Sequence, residues 1–193
     1  MSMNNNKKNI LFVEYCSDLK AGGAQRVFLN ILKFLDSSKY NIFSAFPNIK
    51  EGEMSVEVPN HIKTFDYDSK SPDSNENKYL AYCIFAIFIP ILIFRWYFLL
   101  KRHRINVVYV HSIISGFHFG LIKYFYDFKL IYHEHNMASQ RPAMLLWRLL
   151  FDFVVYRADK IIAISKDVST ELVEFGAKEK KVNVIHNGIE LIK

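Results

Sequence analysis

With 193 residues, 51% of them hydrophobic and 16% aromatic, the chain is long and apolar enough to bury a core without help from disulfides or metals, which argues against a disordered chain. Its 17 Phe and 11 Tyr leave apolar surface beyond what one core absorbs, available to lipid or a partner. The formal net charge of +6 is a moderate excess that accommodates anionic lipid headgroups, phosphorylated substrates or nucleic acid and selects none of them.

The N-terminal stretch MSMNNNKKNILFVEYC is basic and then apolar, but the apolar part is short and carries Glu14, a poor signal peptide and a good first strand. The two cysteines, Cys16 and Cys83, stand far apart at no ligand spacing, which fits inert packing residues in a reducing compartment. Strand-like runs follow at Asn9–Tyr15, Asn41–Phe46, Ile62–Tyr67, Val107–His111, Lys129–His133, Lys160–Ile164 and Val182–His186, separated by stretches of helical periodicity. The later runs, VVYV, LIY, IIAI and VNVI, are continuously apolar, as in parallel strands covered on both faces. The pattern predicts an α/β fold, a Rossmann-like doubly wound parallel sheet.

The first helix is expected to open near Gly23, with Val27, Ile31 and Leu35 on one stripe and Phe28 and Leu32 beside it. A later helix is expected to start at Ser165, acting as its cap, and to close at Gly176, which can take the left-handed conformation. Asp66–Lys78 is polar and reads as a surface loop. No internal repeat interrupts the chain, so the only domain boundary falls at its C-terminal end.

Tyr79–Phe94 runs for sixteen residues without a charge, is interrupted by Arg95, and continues through Trp96 and Tyr97 to the basic cluster Lys101, Arg102 and Arg104. A bilayer-spanning helix needs roughly 20 apolar residues, and Pro90 falls in mid-run. A span would also put the early and late strands on opposite sides of a membrane. The readings that survive are a helix packed on the sheet and a helix lying flat on an anionic membrane surface, with Trp96, Tyr97, Lys101, Arg102 and Arg104 as candidate contacts.

Gly22–Gly23 follow the first strand and open the first helix. Glycines there either let backbone N–H groups approach an anion at the positive end of a helix dipole or merely permit a tight turn. His133 and His135 are two apart and would project to one side of a continuing strand, with Glu134 opposite. HEH is not the HExxH pair of zincins and no third ligand stands at a telling spacing, so no metal site is expected. His111 ends a strand and is either a cleft residue or a buried core histidine, and His118 reads as structural. Ser112 and Ser165 have no local base, and no GxSxG elbow is present, so nucleophilic hydrolysis is not supported.

GGAQRVFLNIL resembles the opening GGxE-R motif of glycosyltransferase family 4 N-terminal domains. VVYVHS resembles that family's fourth-strand segment, IYHEHNM its fifth strand with the histidine loop, and ADKIIAISKDVSTELVEFGAKEKKVNVIHNGIE the segment leading to its NGID hinge. The match covers nearly the whole chain, departing at Gln25, where an acid is common, and at Glu190, where Asp is usual. The resemblance implies a GT-B architecture of two Rossmann-like domains. Residues 1–186 would form the N-terminal acceptor-side domain, and 187–193 would begin the hinge to an absent donor domain. It further implies retaining transfer of a hexosyl group from a sugar nucleotide to a glycan or lipid-linked acceptor. The sugar nucleotide is a co-substrate, with no further cofactor.

Carried over by position, the resemblance makes His135 the cleft histidine at the reacting sugar and sets Gly22 and Gly23 near the donor pyrophosphate. Arg141 would meet a phosphate or carboxylate, and His111, Ser112 and Asn136 would border the acceptor cleft. The expected setting is cytoplasmic, peripheral on the inner membrane face. A non-catalytic module that binds the acceptor or docks on a separate catalytic chain is the alternative. Nucleic acid is not expected as a partner, because the basic residues form no stripe and the aromatics sit in apolar runs.

Overall fold

The computed structural model describes residues 7–15, 23–47, 54–66, 78–136 and 145–188. Seven strands alternate with helices in chain order: β1 (Lys8–Val13), α1 (Gly23–Phe34), β2 (Tyr40–Phe46), α2 (Met54–Glu57), β3 (Lys63–Asp66), α3 (Lys78–Arg102), β4 (Val107–Val110), α4 (Ile113–Ile122), β5 (Lys129–Glu134), α5 (Leu145–Arg157), β6 (Lys160–Ala163), α6 (Lys166–Glu174) and β7 (Val182–Val184). They form one sheet in the order β3-β2-β1-β4-β5-β6-β7, every pairing parallel. The order reverses between β1 and β4, and in open α/β sheets ligands bind beyond the strand C-termini at such a point.

Alternation along the strands splits the core in two. Leu11, Val13, Val108, Val110, Leu130 and Tyr132 pack with residues of α3, α4, α5 and α6. On the opposite face Phe12, Ile42, Tyr109 and Ile162 pack with Phe28, Leu29 and Leu32 of α1 and with Met54. The stripe of α1 is rotated from the one expected: Phe28, Leu29 and Leu32 are fully covered, whereas Val27, Ile31 and Leu35 are only half-buried. Phe28 sets the rotation, since its ring meets Phe46 edge-on at 6.4 Å and His111 at 5.5 Å.

Helix ends follow sequence logic. Ser165 caps α6 by accepting from Val168 N–H at 3.2 Å. At its other end Gly176 has φ of 100°, with Gly176 N–H donating to Val173 O and Ala177 N–H to Leu172 O, both at 2.9 Å. α3 closes in the same way with Arg104 at the left-handed position, φ 48°.

The long α3 agrees with the helical expectation for 79–100, but its exposed face differs from the one expected. Trp96 is 4% exposed and packs on Phe119 at 5.0 Å, so it is a core residue and not a membrane contact. Tyr97 is half-buried beneath Lys101, whose Nζ lies 5.8 Å above its ring. Ile91, Phe94 and Phe98 take the outward positions instead. Among the described residues, no helix is long and apolar enough to cross a membrane.

Candidate functional site

The parallel register places the ends of β4 and β5 side by side, Tyr109 beside Ile131 and Val110 beside Tyr132. One pleat further, Tyr109, His111, His133 and His135 all project on the α1 face at the C-terminal edge of the sheet. Tyr109 O–H and His133 Nδ1 are hydrogen-bonded at 2.8 Å, as are His111 Nδ1 and His135 Nε2. The His111 and His135 rings are nearly parallel at 16°, and the His133 and His135 centroids lie 4.0 Å apart. Glu134 points to the other face, where its Oε2 accepts from Tyr132 O–H at 2.6 Å and its Oε1 accepts from Asn136 N–H at 3.0 Å. The sidedness expected for His133, His135 and Glu134 is therefore the one observed.

Burial decides the charge of this cluster. Removal from water drives His111 well below its ordinary range, with His135 and His133 adding repulsion; it lowers His133 to about 3, again with a contribution from His135, and His135 to about 4. All three imidazoles are neutral near pH 7, each offering one donor and one acceptor. Glu14 Oε2 stands 3.7 Å from His111 Nδ1, too far for a hydrogen bond, and a neutral ring forms no ion pair with it. The same burial raises the Tyr109 hydroxyl, which stays protonated. His111 Nε2 and His133 Nε2 are buried without a hydrogen-bond partner.

Gly23 opens α1 at this edge, exposed, with nothing within 4 Å of where a side chain would stand. Ser112 is spent on the fold: it caps α4 by accepting from Ser115 N–H at 3.1 Å and donates to Ser115 Oγ at 3.0 Å. Asn136 is exposed beside the cluster. Gly22, Arg141 and Glu190 lie outside the described residues, as does Cys16. His118 is buried within α4 beside Phe117. Lys101, Arg102 and Arg104 are exposed at the opposite edge, where β4 begins. Sequence reasoning missed Tyr109. Superposing YVH of β4 on YHEH of β5 in parallel register reveals it, because the tyrosine then falls diagonally across from His133.

The chain matches Glycosyltransferase Family 4 over residues 21–193. No curated protein sequence matches it. Among solved structures it is similar to a glycosyltransferase from Rickettsia africae ESF-5, with 18% identity, a TM-score of 0.70, and coverage of 95% of this chain and 44% of that one. It is also similar to Alr3699/HepE of Anabaena in complex with UDP and glucose, with 17% identity, a TM-score of 0.66, and coverage of 94% and 45%. UDP-N-acetylglucosamine 2-epimerase shares the fold too, with 14% identity, a TM-score of 0.65, and coverage of 94% and 48%. The chain thus spans less than half the length of each, and at these identities the likeness establishes the fold alone.

Proposed function

This chain belongs to Glycosyltransferase Family 4, and from that premise we propose that it is the acceptor-side wall of a retaining transferase. The enzyme moves a hexosyl group from a sugar nucleotide to a glycan or lipid-linked acceptor, with the donor held mainly by a second domain. The observation that carries this reading is the neutral imidazole cluster at the strand C-termini, headed by His135. Neutral rings donate and accept, which suits sugar hydroxyls, whereas an imidazolium could only donate. Gly23, bare and at a helix start, suits close approach of a pyrophosphate. The complex of HepE with UDP and glucose supports a sugar nucleotide as the donor class.

Transfer is to be measured from UDP-, GDP- and ADP-sugars by the isolated chain and by the chain together with its donor-binding domain. Orientation of two substrates can supply roughly 7–11 kcal/mol of a barrier, and one wall cannot supply it, so the isolated chain should be inactive. In the joined form, His135→Ala should lower turnover by about 100-fold. Robust turnover by these 193 residues alone overturns the half-enzyme reading.

The lipid side of the proposal rests on α3. At ~1.5 Å per residue its 25 residues extend about 37 Å, so it can lie along a surface with Ile91, Phe94 and Phe98 inward and Lys101 and Arg102 at the headgroups. Placement on the inner face of the cytoplasmic membrane is part of the same proposal. Flotation with phosphatidylglycerol vesicles should retain the chain and lose it on Phe94→Asp. Equal behaviour of both forms removes membrane contact from the reading.

A further inference from the structure

The geometry points to a binding site for a late first-row divalent ion of the zinc type at His111, His133 and His135. The sequence offers two imidazoles here and no third at a recognisable spacing, but the pairing of β4 with β5 supplies the third from a separate strand. One ring nitrogen from each residue lies within 4.8 Å of the other two. Three imidazoles with no thiolate and no ring of hard oxygens select Zn²⁺, Co²⁺, Ni²⁺ or Cu²⁺ over Mg²⁺ and Ca²⁺.

Distances decide whether such an ion fits. Nitrogen ligands about 2.0–2.1 Å from a tetrahedral ion stand roughly 3.3 Å apart. That value lies between the 2.8 Å of the His111–His135 contact and the 4.8 Å limit of the cluster. The spacing such an ion needs therefore falls within the range the cluster spans, and His135 is half-buried just past the end of β5.

The unpartnered atoms favour the same occupant. His133 gives Nδ1 to Tyr109, which leaves Nε2 as its ligand atom, and that atom is buried with no other partner. With Nδ1–H donated to the phenol oxygen, the lone pair sits on Nε2, the arrangement in which an outer hydrogen bond orients a metal-bound histidine. Buried polar atoms of a folded chain are nearly always paired, and an ion gives His133 Nε2 what the protein does not. Three protein ligands leave a coordination position open on the cleft side.

The test reads binding and not transfer, so its failure is distinct from failure of the proposed function. The metal-free chain is titrated with Co²⁺ and followed by its visible ligand-field absorption, and Zn²⁺ affinity is measured by competition with a chromophoric chelator. One ion should bind per chain, with the intense visible bands of a tetrahedral site. His135→Asn should weaken binding on the order of 100-fold, and His111→Gln similarly, whereas His61→Asn at a distant site should leave it unchanged. Circular dichroism confirms that each variant is folded, and His135→Asn, at a half-buried strand end, keeps the test decisive if His111→Gln does not fold. No cobalt absorption, or equal affinity in the wild type and His135→Asn, overturns the site and leaves the cluster to sugar hydroxyls alone.

Discussion

His118 carries a cost that the histidine cluster obscures, because it is buried in α4 beside Phe117. Burial lowers it from its ordinary 6.5 to about 4. Unfolded, it takes a proton as pH falls through 6.5; folded, it resists until about 4. Across that window the unfolded state binds more protons, so stability rises with pH and is lost on acidification. The full difference is of the order of 3 kcal/mol, at 1.36 kcal/mol for each unit. Urea unfolding of His118→Gln should show a shallower fall between pH 6.5 and 4 than the wild type, and parallel curves would show that the residue does not resist protonation. The residue scale is also where sequence reading was weakest. His135 was identifiable through family resemblance, but its bond to His111 joins residues 24 apart on two strands and has no local signature. Trp96 was misplaced because aromatic content marks an amphipathic surface and a packed core equally well, and only Phe119 decides between them.

At the scale of elements, helices and strands were legible because each carries its own period and punctuation: Ser165 and Gly176 bound α6, and short apolar runs mark β4 and β6, whereas β7 is an exposed edge strand interrupted by Asn183. What could not be read was how closely elements approach. α4 and α5 meet through Gly116 and Gly120, whose added side chains would stand 2.7 Å from Val154 Cγ1 and 2.7 Å from Phe153 Cε1. The two contacts are unequal. Val154 is fully buried and branched at its root, so it cannot swing aside, whereas the Phe153 ring edge can turn. Gly116→Ala should therefore destabilise by about 1–3 kcal/mol, the range for overpacking a filled core, with Gly120→Ala costing less. Thermal unfolding of both variants checks the ranking, and a more stable Gly116→Ala would show that the helices separate freely.

At the scale of the whole molecule, the doubly wound sheet was the most legible feature, since seven apolar strands alternating with helices admit few other arrangements. Strand order was not legible, because it depends on pairings between distant segments. The two edges of the sheet are built differently. At the N-terminal edge the Asn9 side chain donates to His103 O at 2.8 Å and Arg104 O at 3.1 Å, and Asn9 N–H donates to Asn106 Oδ1 at 2.8 Å. Asp159 accepts from Leu130 N–H at 2.8 Å and pairs with Lys123. The C-terminal edge is closed by imidazoles whose hydrogen bonds can be exchanged for those of a ligand.

The placement of β1 beside β4 governs the order in which the chain assembles. Joining β1 to β4 brings together Asn9 and Asn106, 97 residues apart, whereas Tyr109 meets His133 across 24 and Leu130 meets Asp159 across 29. With closure entropy growing as (3/2)RT ln n, the first contact costs about 1.2 kcal/mol more than the second. The segment from β4 to β7 can therefore form early as a run of local crossovers, with β1 and its neighbours docking afterwards onto a surface already in place. In folding kinetics, Val108→Ala in β4 should slow folding, and Leu11→Ala in β1 should chiefly speed unfolding. The reverse pattern would mean that the long closure comes first.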